Sequence, residues 1–143
     1  MSANADITFA WADGKNYKFA LPIGQLEELQ EATGAGPEEL LHRLTILPAE
    51  QGGAMESIRL GLLRPGPRDL REILRLGLIG GGTKPDRAAI MVSRYVDGRP
   101  RLESYLPARL VLSAAIVGVP GDPVGKSDAG ETTPPTDQTT QSV

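Results

Sequence analysis

"PRDLREILRLGLIGGGTKPD", residues 67–86, decides how this chain is read. Leu70, Ile73, Leu74, Gly77 and Leu78 recur at three- and four-residue spacing, with Arg68, Arg71, Glu72 and Arg75 on the other side. That pattern predicts a helix with one buried face. Gly80, Gly81 and Gly82 end it. The same glycines, followed by Thr83 and Lys84, have the look of a loop that cradles a phosphate. One reading makes the stretch a corner in a helical domain, the other a nucleotide site.

The spacing favours the corner. A phosphate loop needs Gly, four residues, then Gly-Lys-Ser/Thr, between a buried strand and a helix. Gly77 and Gly82 have that separation, but Thr83 and Lys84 follow in reversed order. Pro85 removes a backbone N–H where a phosphate would need donors. The run before the glycines has helical rather than strand period. The dinucleotide fingerprint G-x-G-x-x-G fails as well.

Working outward, "DITFAWADGKNYKFALPI" (residues 6–23) predicts a β-hairpin. Ile7, Phe9 and Trp11 alternate on one run, Tyr17, Phe19 and Leu21 on the next, and Asp13-Gly14 turns the chain. A lone hairpin is marginal in water, so this one must cover a helix. "LPIGQLEELQEATG" predicts a helix with Ile23, Leu26, Leu29 and Ala32 inward, Glu27, Glu28 and Glu31 outward, and Gly34 as its stop. "GPEELLHRL" restarts with Pro37 in the first turn and buries Leu40, Leu41 and Leu44. Residues 45–67 are broken by Pro48, Gly52-Gly53, Gly61 and Pro65-Gly66-Pro67, leaving room for one short helix over 54–63.

After the corner, "PDRAAIMVSRYVDGRP" predicts a helix packing through Ala88, Ala89, Val92, Tyr95 and Val96. "LESYLPARLVLSAAIVG" predicts the last one. Its apolar face runs through Leu102, Leu106, Leu110, Ala114 and Val117, widened by Val111 and Ala115. Pro107 either sits in the first turn or kinks a helix begun earlier. From Val119 onward the chain is rich in Gly, Pro, Ser, Thr and Gln and poor in apolar residues, which predicts disorder. The expected fold is α+β, mainly α. An N-terminal hairpin packs on a small bundle of four to five helices over 1–118, and a disordered acidic tail covers 119–143.

Composition agrees with a helical core. Of 143 residues, 40% are apolar but only 4% aromatic, so Leu, Ile, Val and Ala must fill the interior. With no cysteine, disulfides, thiol nucleophiles and Cys-based zinc sites drop out. His42 stands alone without the partners that metal binding or base catalysis requires. Ser57, Ser93 and Ser104 have no activating base in view. Glu27, Glu28 and Glu31 read as a solvated helix face. No enzyme, metal, cofactor or small-molecule substrate is therefore expected. No run approaches the ~18 apolar residues of a membrane span, and the N-terminus lacks the basic and apolar regions of a signal peptide. A cytoplasmic protein is expected.

Charge is polarised along the chain. Residues 1–56 hold nine acids and three bases, residues 57–118 eleven bases and five acids, and residues 119–143 four acids and one Lys. Such a chain can pair its own halves, pair with copies of itself as a homo-oligomer, or face two partners. The arginines at 59, 64, 68, 71, 75, 87, 94, 99, 101 and 109 offer a nucleic-acid alternative. No aromatics interleave with them and no helix-turn-helix pattern appears, so only the electrostatic part of that footprint is present.

"RDLREILRLGLIGGG" and "AAIMVSRYVDGRPRLESYLPARLVLSAAIVG", with the hairpin and "GQLEELQEATG", resemble the tail assembly chaperone family of gene transfer agents and related tailed phages. That family is also described as phage tail tube proteins. "RLGLIGGG" and "YVDGRP" are the specific segments, and the resemblance runs from about Ile7 to Gly118. Residues 46–67 depart from it, being longer and richer in Pro and Gly. The resemblance implies a non-enzymatic protein that coats the tape measure protein and recruits tail tube subunits during assembly, in the cytoplasm of the host bacterium, and is absent from the finished tail. A structural tail component is the alternative. Partner contacts are expected from Arg68, Arg71 and Arg75 or from Leu106, Leu110 and Ala114, with the tail touching tube subunits. Gly80, Gly81 and Gly82 are expected to be a structural corner.

Overall fold

In the computed structural model, which describes residues 3–120, two short sheets accompany six α-helices. The segment 121–143, most of the stretch expected to be disordered, lies outside the described residues. Strands β1 (Ala3–Asn4), β2 (Asp6–Trp11) and β3 (Lys15–Ala20) lead into α1 (Ile23–Thr33) and α2 (Pro37–Arg43). A 3-10 turn at Ala49–Gln51 precedes α3 (Gly53–Arg59), the short helix of the broken segment. Then come α4 (Pro67–Gly80), α5 (Pro85–Val92), α6 (Leu102–Ile116) and β4 (Val119–Pro120). The α+β, mainly α architecture is the one expected. One addition is that Val119 and Pro120, read as the start of the tail, pair antiparallel with Asn4 and Ala3.

The hairpin forms because its residues alternate and its turn tolerates positive φ. β2 and β3 pair from Asp6↔Ala20 to Trp11↔Lys15, which sets Phe9 opposite Tyr17 and Ile7 opposite Phe19. Odd-numbered residues therefore share one face. On it, Phe9 and Phe19 stack at 4.7 Å, and Trp11 meets Phe19 and Tyr17 edge-on. The loop holds Ala12 at φ 59 and Gly14 at φ 86, so the turn takes one more left-handed residue than Asp13-Gly14 suggested. The aromatic face settles on helices, with β3 against α4 and β2 against α6.

Helix α4 is the centre. It touches β3, α1, α5 and α6. Leu70, Ile73, Leu74, Leu76 and Leu78 are all fully buried. Leu76 lay off the expected stripe. Neighbours on several sides of α4 bury more of its circumference than one apolar face requires. At the start of α4, Asp69 caps the helix: its carboxylate accepts the Gly66 N–H at 2.9 Å and the Arg43 Nη1–H at 2.9 Å. The second bond ties α2 to α4 from a nearly buried acid.

The glycine stretch ends α4 in a Schellman arrangement. The Thr83 N–H reaches the Leu78 carbonyl at 2.9 Å and the Gly82 N–H reaches Ile79 at 3.0 Å, with Gly82 at φ 115. Gly80 and Gly81 serve a different need. A Cβ on Gly80 would overlap the Ala20 carbonyl oxygen, and one on Gly81 would overlap the Lys18 carbonyl oxygen. A Cβ on Gly77 would press on Val111 and on Phe19 at 3.0 and 3.2 Å. Positions 77, 80 and 81 share one helix face, and β3 lies directly along it.

Three helices differ from the sequence expectation: α1 buries Leu29 but leaves Ile23, expected inward, 74% exposed at its first position, and α5 and α6 differ as well. α5 runs on through a π-helical turn, Ser93–Asp97. It buries Ala88, Met91, Val92 and Val96, while Ala89 is exposed. α6 begins at Leu102 with Pro107 inside it. Its buried face is Ser104, Tyr105, Ala108, Val111, Leu112 and Ala114 rather than the Leu102–Leu106–Leu110 line. The helix is apolar nearly all round, so spacing alone did not choose which side meets α4 and the hairpin.

Gly80→Ala and Gly81→Ala should each lower stability by about 1–3 kcal/mol, the usual result of overpacking. Gly24→Ala, in a helix and with open space around it, should instead be neutral or stabilising by up to about 1 kcal/mol. Urea unfolding midpoints for the three variants test the seam. Equal effects at Gly24 and Gly81 would remove it.

Candidate interaction surfaces

At the corner, no cradle of free donors exists. The N–H groups of Gly81, Gly82 and Thr83 all point to carbonyls of the α4 terminus. Lys84 is the N-cap of α5, and Asp86 accepts the Arg87 N–H at 2.9 Å. Gly80, Gly81 and Gly82 thus form the corner expected of them, with the strand seam added.

The arginines do not form one phosphate-tracking face. Arg75 is half-buried and donates to Glu72 at 2.7 Å and to Glu28 at 3.4 Å. Glu72 above all holds its guanidinium above the ordinary value. Arg71 donates to Asp97 at 3.1 Å across the α4–π-turn boundary. Arg109 donates to the Leu44 carbonyl at the end of α2, and Arg59 is bonded to Glu56. Of the expected trio, only Arg68 is exposed and without an ion pair among the described residues. Arg87, Arg94 and Arg101 stand in the same position elsewhere. The acidic and basic halves meet directly through Arg75–Glu28.

The expected residues on α6 divide. Ala114 is fully buried and closed to a partner, because it points into the core. Leu106 is 55% exposed and Leu110 is half-buried. Leu102 and Val117 are exposed too. At these spacings Leu102, Leu106, Leu110 and Val117 line one outward stripe along α6. A second apolar group, Met55, Ile58 and Leu60, is exposed on and just after α3. The sequence reading missed it because residues 45–67 showed breakers before pattern. Large exposed apolar side chains in contiguous groups mark contact surfaces more often than scattered ones do.

The remaining polar candidates are accounted for locally. His42 is exposed near the end of α2. Ser57 is buried, its hydroxyl donating to the Gly53 carbonyl and accepting the Leu47 N–H. Ser93 is exposed and Ser104 buried. Among the described residues, no group of three His, Cys, Asp or Glu could hold a metal, and no helix is long and apolar enough to cross a membrane.

Two surface clefts stand out. One, of about 230 Å³, lies between the hairpin tip and α5, with Asp13, Tyr17, Arg87, Ile90 and Arg94 among its walls. It is small beside ligand pockets of roughly 300–1,000 Å³. Here the Asp13 carboxylate accepts the Tyr17 hydroxyl at 2.7 Å and the Lys15 N–H at 3.0 Å. The other, of about 390 Å³, lies over buried Leu70 and Val96, with Pro67, Asp97 and the arginines Arg71, Arg99 and Arg101 around it. Arg99 also lies over the Tyr95 ring at 5.1 Å and reaches the Ala12 carbonyl at 3.4 Å. In the sequence, Arg99 and Arg101 read only as two of the ten arginines that offered a nucleic-acid alternative. The π turn brings them beside α4.

The family described as "Phage tail tube protein, GTA-gp10" matches the chain over residues 5–67 and 63–118, most of its length. No curated protein and no solved structure matches it.

The hairpin tip gives a pH signature. The Tyr17 bond first, then the Lys15 N–H, holds Asp13 below the usual carboxylate range. The same bond raises Tyr17 above the ordinary phenol value. The Tyr17 contribution to stability is complete below the ordinary tyrosine pKa and lost as pH rises through the raised one. The Asp13 contribution is complete above the ordinary carboxylate pKa and lost as pH falls through the lowered one. In a tyrosinate absorbance titration, Asp13→Asn should move one of the three tyrosines to lower pH. An unchanged titration would contradict the bond.

Proposed function

The chain belongs to the phage tail tube protein, GTA-gp10 family. On that premise we propose that it is a non-enzymatic chaperone of tail assembly in a phage or gene transfer agent. It binds the tape measure protein and recruits tail tube subunits to it in the cytoplasm of the host, and it leaves before the particle is complete. The observation that carries this reading is the outward stripe Leu102, Leu106, Leu110 and Val117 on a helix whose opposite side is already sealed into the core. An amphipathic or apolar partner helix is the natural occupant of such a stripe.

A second reading is favoured by the wording of the family description, which names a tube protein. In it, the same stripe contacts other tail subunits and the chain stays in the particle. The two readings differ in where the protein ends up, so purified tails separate them: a chaperone is missing from them and a structural subunit is present in stoichiometric amount. In either reading the exposed acids Glu27, Glu31 and Glu38 and the exposed bases Arg68, Arg87 and Arg94 orient the encounter rather than hold it.

Leu106→Asp should leave the fold intact, since the side chain is more than half exposed. It should reduce co-purification with the tape measure protein by about tenfold or more, equivalent to about 1.4 kcal/mol or more. Leu112→Asp, at a fully buried site, should unfold the domain and serves as the contrast. Undiminished co-purification of a folded Leu106→Asp variant would move the contact surface off α6.

A further inference from the structure

The groove between α4 and the π turn is basic at its rim and apolar at its floor. Arg71, Arg99 and Arg101 face it, and Asp97 is the one acid among its walls. Asp97 is already bonded to Arg71 at 3.1 Å. Glu103 lies 3.8 Å from Arg99, at the outer limit of an ion pair. Arg101 has no ion pair among the described residues. Three guanidinium groups against Asp97 in the walls and Glu103 at the margin leave the Arg101 charge unmet, above buried Leu70 and Val96 with exposed Pro67 beside them. An acidic peptide segment with small or apolar side chains fits that chemistry.

We infer that the acidic C-terminal segment of the same chain, through Glu131 and Asp137, docks in the arginine-rimmed groove. Two independent features select this occupant. The first is charge: residues 121–143 carry Asp122, Asp128, Glu131 and Asp137 against Lys126 alone. The second is reach. The described chain leaves the fold at Pro120, where β4 pairs with β1, after α6 has run its length away from Arg101. That helix has 15 residues, and so spans roughly 22 Å. Fully extended chain covers roughly 3.3 Å per residue. Asp122 falls short, Asp128 barely spans the distance at roughly 26 Å, and Glu131 at roughly 36 Å has slack. A tethered segment is present at an effective concentration in the millimolar range, so a weak electrostatic contact is enough to hold it. The groove is then covered in the free protein, and an acidic segment of a partner must displace the tail to use it. This does not depend on whether the protein is a chaperone or a retained tail subunit.

Because the chain has no cysteine, a single one can be placed at will. A nitroxide on Thr133→Cys, in the full chain labelled with nitrogen-15, should broaden the amide signals of Leu70, Arg71, Gly98 and Arg99 at low salt. The intensity loss should disappear at high salt, because charges at an exposed rim are screened within about 10 Å at 0.1 M. It should also disappear in the same chain carrying Glu131→Gln and Asp137→Asn, changes outside the folded domain. Mixing the nitroxide-bearing chain, unlabelled, with the labelled cysteine-free chain should give no loss at these residues. Absence of broadening at the groove, broadening indifferent to salt or to the two tail substitutions, broadening centred instead on Arg87 and Arg94, or broadening in the mixed sample would each overturn the inference.

Discussion

The structure depends on how closely β3 can approach α4. The Lys18 and Ala20 carbonyls lie where side chains on Gly81 and Gly80 would have to be. Gly77 continues the same face and makes room for Phe19 and Val111. With that approach in place, Phe19 is fully buried, Phe9 stacks on it, and Trp11 reaches Tyr95 in the middle of the π turn at 5.6 Å. Moving the strand outward by the width of a methyl group would open a gap beneath the aromatic face, and gaps in a core forfeit dispersion contacts on both sides. A hairpin unable to stand alone gains its stability from this seam.

Around that seam the charged residues do two jobs. Some are structural: Asp69 caps α4 and holds Arg43 of α2, and Arg75 bridges Glu72 and Glu28 between α4 and α1. Asp69, and after it Glu39, raises the Arg43 pKa above the ordinary guanidinium value. Others remain outside such links, notably Arg68, Arg87, Arg94 and Arg101 among the described residues. Arg87 and Arg94 share the cleft at the hairpin tip and Arg101 lines the groove beside α4, which makes separate patches rather than one continuous track along a phosphate backbone. The apolar stripe of α6 adds a patch of a different kind. The domain thus carries two chemically distinct surfaces, one of scattered positive charge and one apolar.

Much of this was legible beforehand because the signals were local. Alternation in residues 6–21 declares the hairpin, and glycine after a periodic run declares the helix ends at Gly34 and Gly82. The α4 stripe was read well because its polar positions Arg68, Arg71, Glu72 and Arg75 leave little choice of inward face. On α6 no such contrast exists. Leu102, Leu106 and Leu110 are as apolar as Val111 and Leu112, and only the position of α4 and the hairpin decides which set is covered. The same reason explains Ala89, expected inside and found exposed: the helix rotates to seat Met91 and continues into a π turn whose register no spacing rule anticipates.

Sequence by itself therefore determined the hairpin, the main helices, the glycine stops at Gly34 and Gly82, the rejection of the phosphate loop and the family resemblance, since each rests on neighbours within a few positions along the chain. Tertiary structure alone decided why Gly80 and Gly81 must be glycine, which face of α6 is free, and that Arg71, Arg99 and Arg101 share a groove. Those facts rest on residues far apart in sequence, brought together only when β3 lies down on α4 and the π turn closes against it.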